Sequence, residues 1–173
     1  MSKQLIFCVE TNKSNNSDWM YLQPTINHLY NIDSTVKLSV VYMDSKNKYQ
    51  QKSVTSKIES YIKSYGGNES KVIYCFDTDD IYKDSDNLRF LNEVNDYCKS
   101  KGYGLIWFCR DIEEVFTGQK VPDDEKQQRA NQYIRKHEYE RVNMSKLRSN
   151  TYNINTSNLL SVLDEHLTRK SQI

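Results

Sequence analysis

Apolar residues in this chain fall into short unbroken blocks that alternate with stretches of helical spacing. Gln4 to Val9 is an apolar run that ends on Glu10, and the polar stretch Thr11 to Asn16 follows it. The spacing of Trp19, Met20, Leu22, Ile26, Leu29 and Tyr30 then predicts a helix, with Asn16 or Ser17 as its N-cap and Pro24 as a point of kinking. Val36 to Met43 is rich in β-branched residues and predicts a second strand. Val54, Ile58, Tyr61, Ile62 and Tyr65 mark an amphipathic helix closed by Gly66-Gly67. Val72 to Phe76 predicts a third strand running straight into Asp77-Thr78-Asp79-Asp80. Leu88, Phe90, Leu91, Val94 and Tyr97 place a helix before Gly102, and Tyr103 to Cys109 predicts a fourth strand.

The order is therefore β-α-β-α-β-α-β. Strands that read as continuous apolar runs between helices belong in a parallel sheet covered on both faces. The expected fold is an α/β domain with a mainly parallel sheet of four strands or slightly more, Rossmann-like in layout. Phe7, Val41, Ile73, Phe76, Ile106 and Phe108 are its expected core. Beyond Arg110 the pattern changes. Ile112, Val115 and Phe116 suggest a short helix, Asp123 to His137 a very polar one, and Ser157 to Leu167 an amphipathic one, so residues 118–173 are expected to form a helical cap. One domain over residues 1–173, with its α/β core at 4–117, accounts for the whole pattern.

Composition narrows the function classes. Lys and Arg number 24 against 23 Asp and Glu, a net charge of +1, so no global field draws the protein to nucleic acid or lipid; a polyanion must be met by a local patch. The apolar fraction of 37% is low, and 13 tyrosines take places that Leu or Phe would usually fill. No apolar run reaches the roughly 20 residues of a membrane span, and the start turns polar too soon for a signal peptide, which predicts a cytoplasmic protein with no membrane partner. Cys8, Cys75, Cys98 and Cys109 lack CxxC spacing, and His28, His137 and His166 are isolated, so buried reduced thiols are expected and a zinc site is not. The chain has only five glycines and contains no GxGxxG, GxxxxGK[ST] or GxSxG motif, which removes the familiar nucleotide loops and the hydrolase elbow. A phosphoryl-accepting receiver would need an acid pair after the first strand, where this chain has only Glu10.

The candidate chemistry lies in the acids. In an open parallel sheet, ligands bind beyond the carboxyl ends of the strands. Glu10 closes the first strand, Asp77 and Asp79 follow the third, and Asp111, Glu113 and Glu114 follow the fourth. Carboxylates converging from three strand ends repel one another unless a hard divalent cation, Mg²⁺ or Mn²⁺, lies between them. The competing reading is that each acid caps the helix after it, although Asp84 or Ser85 is placed to cap the helix after the third strand.

A strand ending in Glu (LIFCVE) followed by a later strand ending in DxD (VIYCFDTDD) resembles the Toprim domain, nearest to the small RloB-like and OLD-type Toprim proteins of bacterial defence systems. The likeness covers residues 4 to 117. It implies that Glu10 holds metal or acts as acid and base, that Asp77 and Asp79 bind a divalent metal, and that Glu113 or Glu114 supplies the acid after the fourth strand. Asp18, with Trp19 and Tyr21 nearby, stands where the family has a second acid and an aromatic residue. The chain departs from the family in having no Gly after Glu10. The resemblance implies a divalent-metal-dependent nuclease acting on DNA or RNA in bacterial or phage defence. The alternative is a non-catalytic module of the same fold that recognises a nucleotide or a partner protein. Lys13, Lys83, Arg89 and Arg110 border the acidic edge and are the candidates for phosphate contact. A second basic group, Arg135, Lys136, Arg141, Lys146 and Arg148 with Tyr133 and Tyr139 among them, has the composition of a surface for single-stranded nucleic acid. Glu125, Glu138 and Glu140 lie in the same stretch and offer salt bridges instead.

Overall fold

The structure, a computed structural model, describes residues 2–66 and 68–171. Strand β1 (Lys3–Val9) is followed by helix α1 (Ser17–Leu29), β2 (Val36–Tyr42), α2 (Lys52–Ser64), β3 (Glu69–Asp77), α3 (Ser85–Lys101) and β4 (Gly104–Cys109). The remainder is α4 (Ile112–Thr117), α5 (Lys126–Arg135), β5 (Thr156–Ser157) and α6 (Leu159–Leu163), with short 3-10 turns at Lys46–Lys48, Glu138–Arg141 and Lys146–Arg148. The sheet order is β2-β1-β3-β4-β5. The first four strands run parallel, and β5 pairs antiparallel with the end of β4. This is the doubly wound, flavodoxin-like order, whose switch point falls between β1 and β3.

Alternation along each strand sorts the core onto two faces. Leu5, Phe7, Val9, Ile73, Cys75, Ile106 and Phe108 meet α1, α4, α5 and α6 on one side. Ile6, Cys8, Val41, Val72, Tyr74 and Phe76 meet α2 and α3 on the other. All six expected core residues are at most 2% exposed. The four cysteines are buried free thiols. Tyrosine does the work expected of larger apolar residues: Tyr21, Tyr30, Tyr74 and Tyr133 are fully buried, and Tyr74 makes edge or stacking contacts with Tyr49, Phe76, Tyr97 and Tyr103.

Local chemistry sets the element ends. Asp84 caps α3 by accepting the Asp86 N–H at 2.9 Å, and Gly102 ends it at φ 68, a left-handed value that glycine takes without a Cβ penalty. Helix α1 runs unbroken through Pro24, and Asn16 stands at its N-cap without a side-chain capping bond. Gly66 follows α2 at φ 64, while Gly67, the other half of the expected closure, lies outside the described residues.

The last third departs from the expected cap of long helices. The polar helix is confined to Lys126–Arg135, and the expected helix from Ser157 begins only at Leu159, because Thr156 and Ser157 extend the sheet. The Asn-rich segment before α6 is used by the β4 edge. The Asn158 side chain accepts the Trp107 N–H and donates to the Leu105 carbonyl, both at 2.9 Å, and so imitates one residue of a neighbouring strand. Side-chain amides that bond backbone in this way compete with helix formation. The chain then returns to its beginning: Asn31 N–H bonds the Thr168 carbonyl, Lys170 N–H bonds that of Leu29, and the Lys3 ammonium reaches the His166 carbonyl at 2.7 Å. Among the described residues no helix is long and apolar enough to cross a membrane.

Candidate functional site at the carboxyl edge

Because β1 and β3 are adjacent and parallel, the residues that leave them emerge side by side at the switch point. Glu10 Oε1 accepts the Asp77 N–H at 2.7 Å, so the first acid is bonded to the backbone of the second. Asp77 Oδ1 in turn accepts the N–H of Ile112, the first residue of α4, at 2.9 Å. The loop after β3 is stapled to the end of β4 by Thr78 N–H to the Phe108 carbonyl and Asp79 N–H to the Arg110 carbonyl, both at 2.9 Å. Asp79 reaches that position with a left-handed backbone, φ 52, which Asp tolerates better than most residues. Asp111 caps α4 through the Glu114 N–H at 2.8 Å, and Asp18 is drawn toward the end of β1 by the Thr11 N–H at 3.3 Å.

These bonds gather acids where water is scarce. Burial pushes Glu10 up to about 8, with Asp18 and Asp79 adding to the rise and the Asp77 N–H and Lys46 opposing it. Asp77 is pushed well above the usual carboxylate range by burial and then by Glu10, Asp18, Glu113 and Asp111. Asp18 and Asp111 are raised as well, chiefly by burial. Glu113 has a side chain only 1% exposed, and neither of its oxygens accepts a hydrogen bond among the described residues. Burial raises it to about 7 against the pull of Lys126, whose ammonium stands 3.5 Å away. Lys126 is held above its ordinary value because Glu113, Asp77 and Asp111 outweigh the effect of its own burial.

The outer acids are neutralised. Arg110 forks onto Glu114 with bonds of 3.1 and 2.9 Å, Lys83 pairs with Asp80 at 3.2 Å, and Lys46 pairs with Asp79. A cleft of about 290 Å³ opens between the two groups, lined by Asp77, Asp79, Asp80, Arg110, Asp111 and Lys126 among others. Of the expected phosphate-binding cations, Arg110 sits on its rim but is committed to Glu114, and Arg89 pairs on α3 with Asp86 and Glu93. Lys13 turns away to a groove between β2 and α2. Tyr133 is fully buried against Tyr21 and Phe116, so it has no face free for a nucleic-acid base. Arg148 is bound to Asp164, and Arg129 to Glu138.

Lys126 is the residue of this site that sequence reasoning passed over. It lies in a helix whose residues are nearly all polar, and no motif joins it to acids at positions 10 to 18, 77 or 113.

The donors suit a hard divalent cation in kind, being carboxylate oxygens in excess of nearby positive charge. Glu10 and Asp77 each spend one oxygen on a backbone N–H and keep the other. Among the described residues no three acid, His or Cys side chains converge as a ready metal cage. Comparison of the chain with models of known families, with curated proteins and with solved structures gives no match.

Proposed function

We propose that the carboxyl edge is a divalent-metal-dependent phosphodiesterase site acting on nucleic acid, the reading that the Toprim resemblance also suggests. One observation carries it: Glu10 and Asp77 from two strand ends, Asp111 from a third, and Asp18 and Glu113 from the first turns of α1 and α4 lie near enough, and enclosed enough, that each raises another's affinity for a proton. Such a group pays for its own repulsion until a cation arrives. A bound Mg²⁺ or Mn²⁺ supplies charge neutralisation and polarisation of the phosphate. The chain's own residues do the rest. Asp77 and the free oxygen of Glu10 would hold the cation, with Asp79 as a third donor once released from Lys46. Where the cation rests on Asp77 and Asp79 instead, the free oxygen of Glu10 would be placed to take a proton from water as general base. Lys126, at the cleft wall, faces the negative charge that develops on a phosphate.

The test is a Mn²⁺ titration followed by thermal melting, beside cleavage of labelled single- and double-stranded DNA and RNA. Asp77→Asn retains an oxygen for the Ile112 N–H but loses the charge. Mn²⁺ should raise the wild-type melting temperature more than the variant's, and the variant should lose cleavage. The absence of a convergent cage favours a second reading, a non-catalytic module that binds a nucleotide or partner protein. That reading prevails if Mn²⁺ moves neither melting curve and no substrate is cut.

A further inference from the structure

The two edges of the sheet are finished differently. On the β4 side, β5 and the Asn158 amide occupy the outward backbone groups. On the β2 side no strand follows among the described residues. Lys3 N–H bonds the Thr35 carbonyl and Met43 N–H bonds that of Val9, so the odd-numbered residues of β2 face β1 and the even-numbered ones face outward. The N–H groups of Leu38, Val40 and Tyr42 find no partner among the described residues. The outward carbonyl of Val40 receives only a long 3.4 Å contact from the Tyr61 hydroxyl. Beside this open edge runs a groove of about 510 Å³, walled by Val40, Tyr42, Val54 and Tyr61 and flanked by Lys13 and Lys57. Lys37, on β2 itself, is exposed beside Tyr65, and none of these three lysines forms an ion pair among the described residues.

We propose that the β2 edge receives an extended acidic segment of a partner protein, which adds a strand to the sheet. Main-chain groups of the segment would satisfy Leu38, Val40 and Tyr42, and its alternate side chains would enter the groove between β2 and α2. Charge selects the occupant. A second copy of this chain, joined edge to edge, would bring the same lysines against one another, whereas aspartate or glutamate at alternate positions meets Lys13, Lys37 and Lys57. The surface lies apart from the acidic cleft and stands whether or not that cleft cuts nucleic acid.

Amide hydrogen exchange of the full chain tests it, with an arrayed set of peptides of about nine residues that alternate aspartate with β-branched residues, enough to span the strand. The expected result is new protection at Leu38, Val40 and Tyr42, with none added at Lys37, Ser39 and Val41, whose amides already face β1. Peptides carrying lysine in place of aspartate should give no protection. The double variant Lys37→Glu/Lys57→Glu, two surface changes that leave the core intact, should weaken binding about tenfold or more. Val40→Pro removes one outward donor and should lose the peptide while retaining the β1 ladder; if it fails to fold, the lysine variant decides. The proposal is overturned if no acidic peptide protects these amides or if lysine peptides protect equally. It is also overturned if protection grows with protein concentration alone, or comes from a single-stranded oligonucleotide and not from peptides.

Discussion

The carboxylates of the carboxyl edge divide into two groups that differ in what faces them. Asp79, Asp80 and Glu114 each have a lysine or arginine in contact, and they bring no net charge to the edge. Among the described residues Glu10 and Asp77 have no cation in contact, and Glu113 has Lys126 at 3.5 Å. At Asp79 and Asp80 the charge is cancelled by long flexible side chains near water, where ion pairs contribute little, while Glu114 is buried and held by the Arg110 fork. In the inner group, backbone N–H bonds fix Glu10 and Asp77 without neutralising them, and Glu113 accepts no hydrogen bond among the described residues. Acid content alone does not distinguish a surface from a site; the ratio of fixed carboxylate to nearby cation does.

The comparison is broken most severely at Lys126. Lys126→Met removes the cation that holds the Glu113 value down, so the buried acid must take up a proton or stand unpaired, and at pH 8 this should cost about 2 kcal/mol of unfolding free energy. At pH 5, below the value of about 7 held by Glu113, the acid carries a proton and the loss should nearly vanish; chemical denaturation at both pH values measures this.

The opposite sign is expected where a charge is removed. The folded values of Glu10 and Asp77 lie above their unfolded ones, so the folded state binds more protons and the wild type should lose stability as pH rises from about 4.5 toward 8. Glu10→Gln and Asp77→Asn keep an acceptor oxygen for their backbone partners. Each should therefore stabilise the metal-free protein at pH 8 by about 1–2 kcal/mol, a rise of roughly 2–8 °C in melting temperature, with little gain at pH 5. A fall at pH 8 would mean that the inner acids do not repel.

Arg110→Ala should cost about 1 kcal/mol, since Glu114 is enclosed but its partner lies at the rim, and raised salt should shrink the effect. Lys83→Ala, at the exposed end of the series, should leave the melting curve unchanged.

Much of the fold was legible because a buried parallel strand has to be apolar on both faces. The four expected strands lie within three residues of the observed ones. β5 was not legible: two polar residues have no hydrophobic period, and they join the sheet only because β4 has outward groups to satisfy there. The same limit applied at Asn158, whose strand-like role depends on where its amide is carried.

In the site, the placement of Glu10 and Asp77 followed from topology, since the ends of parallel strands share an edge. The sorting of Glu113 from Glu114 did not. Adjacent residues on a helix point about 100° apart, and only the fold decides that one meets Lys126 and the other Arg110. The expected aromatic platform failed at Tyr133 for a related reason, because a tyrosine between charged residues reads as exposed until Tyr21 and Phe116 are seen to enclose it.

The bonds that tie residues 166–170 to Lys3 and to the end of α1 bear on how the protein is made. β1 is an interior strand and leaves the ribosome before the other strands, yet the face that it shares with α1 is closed by Leu159, Leu160, Leu163 and Leu167, which follow all five strands along the chain. Through most of synthesis, Leu5, Phe7 and Ile26 must wait beneath an incomplete cover. A nascent chain stalled before residue 159 would keep the outer helices and most of the sheet while presenting an apolar face to chaperones, and arrival of α6 is the event that withdraws it.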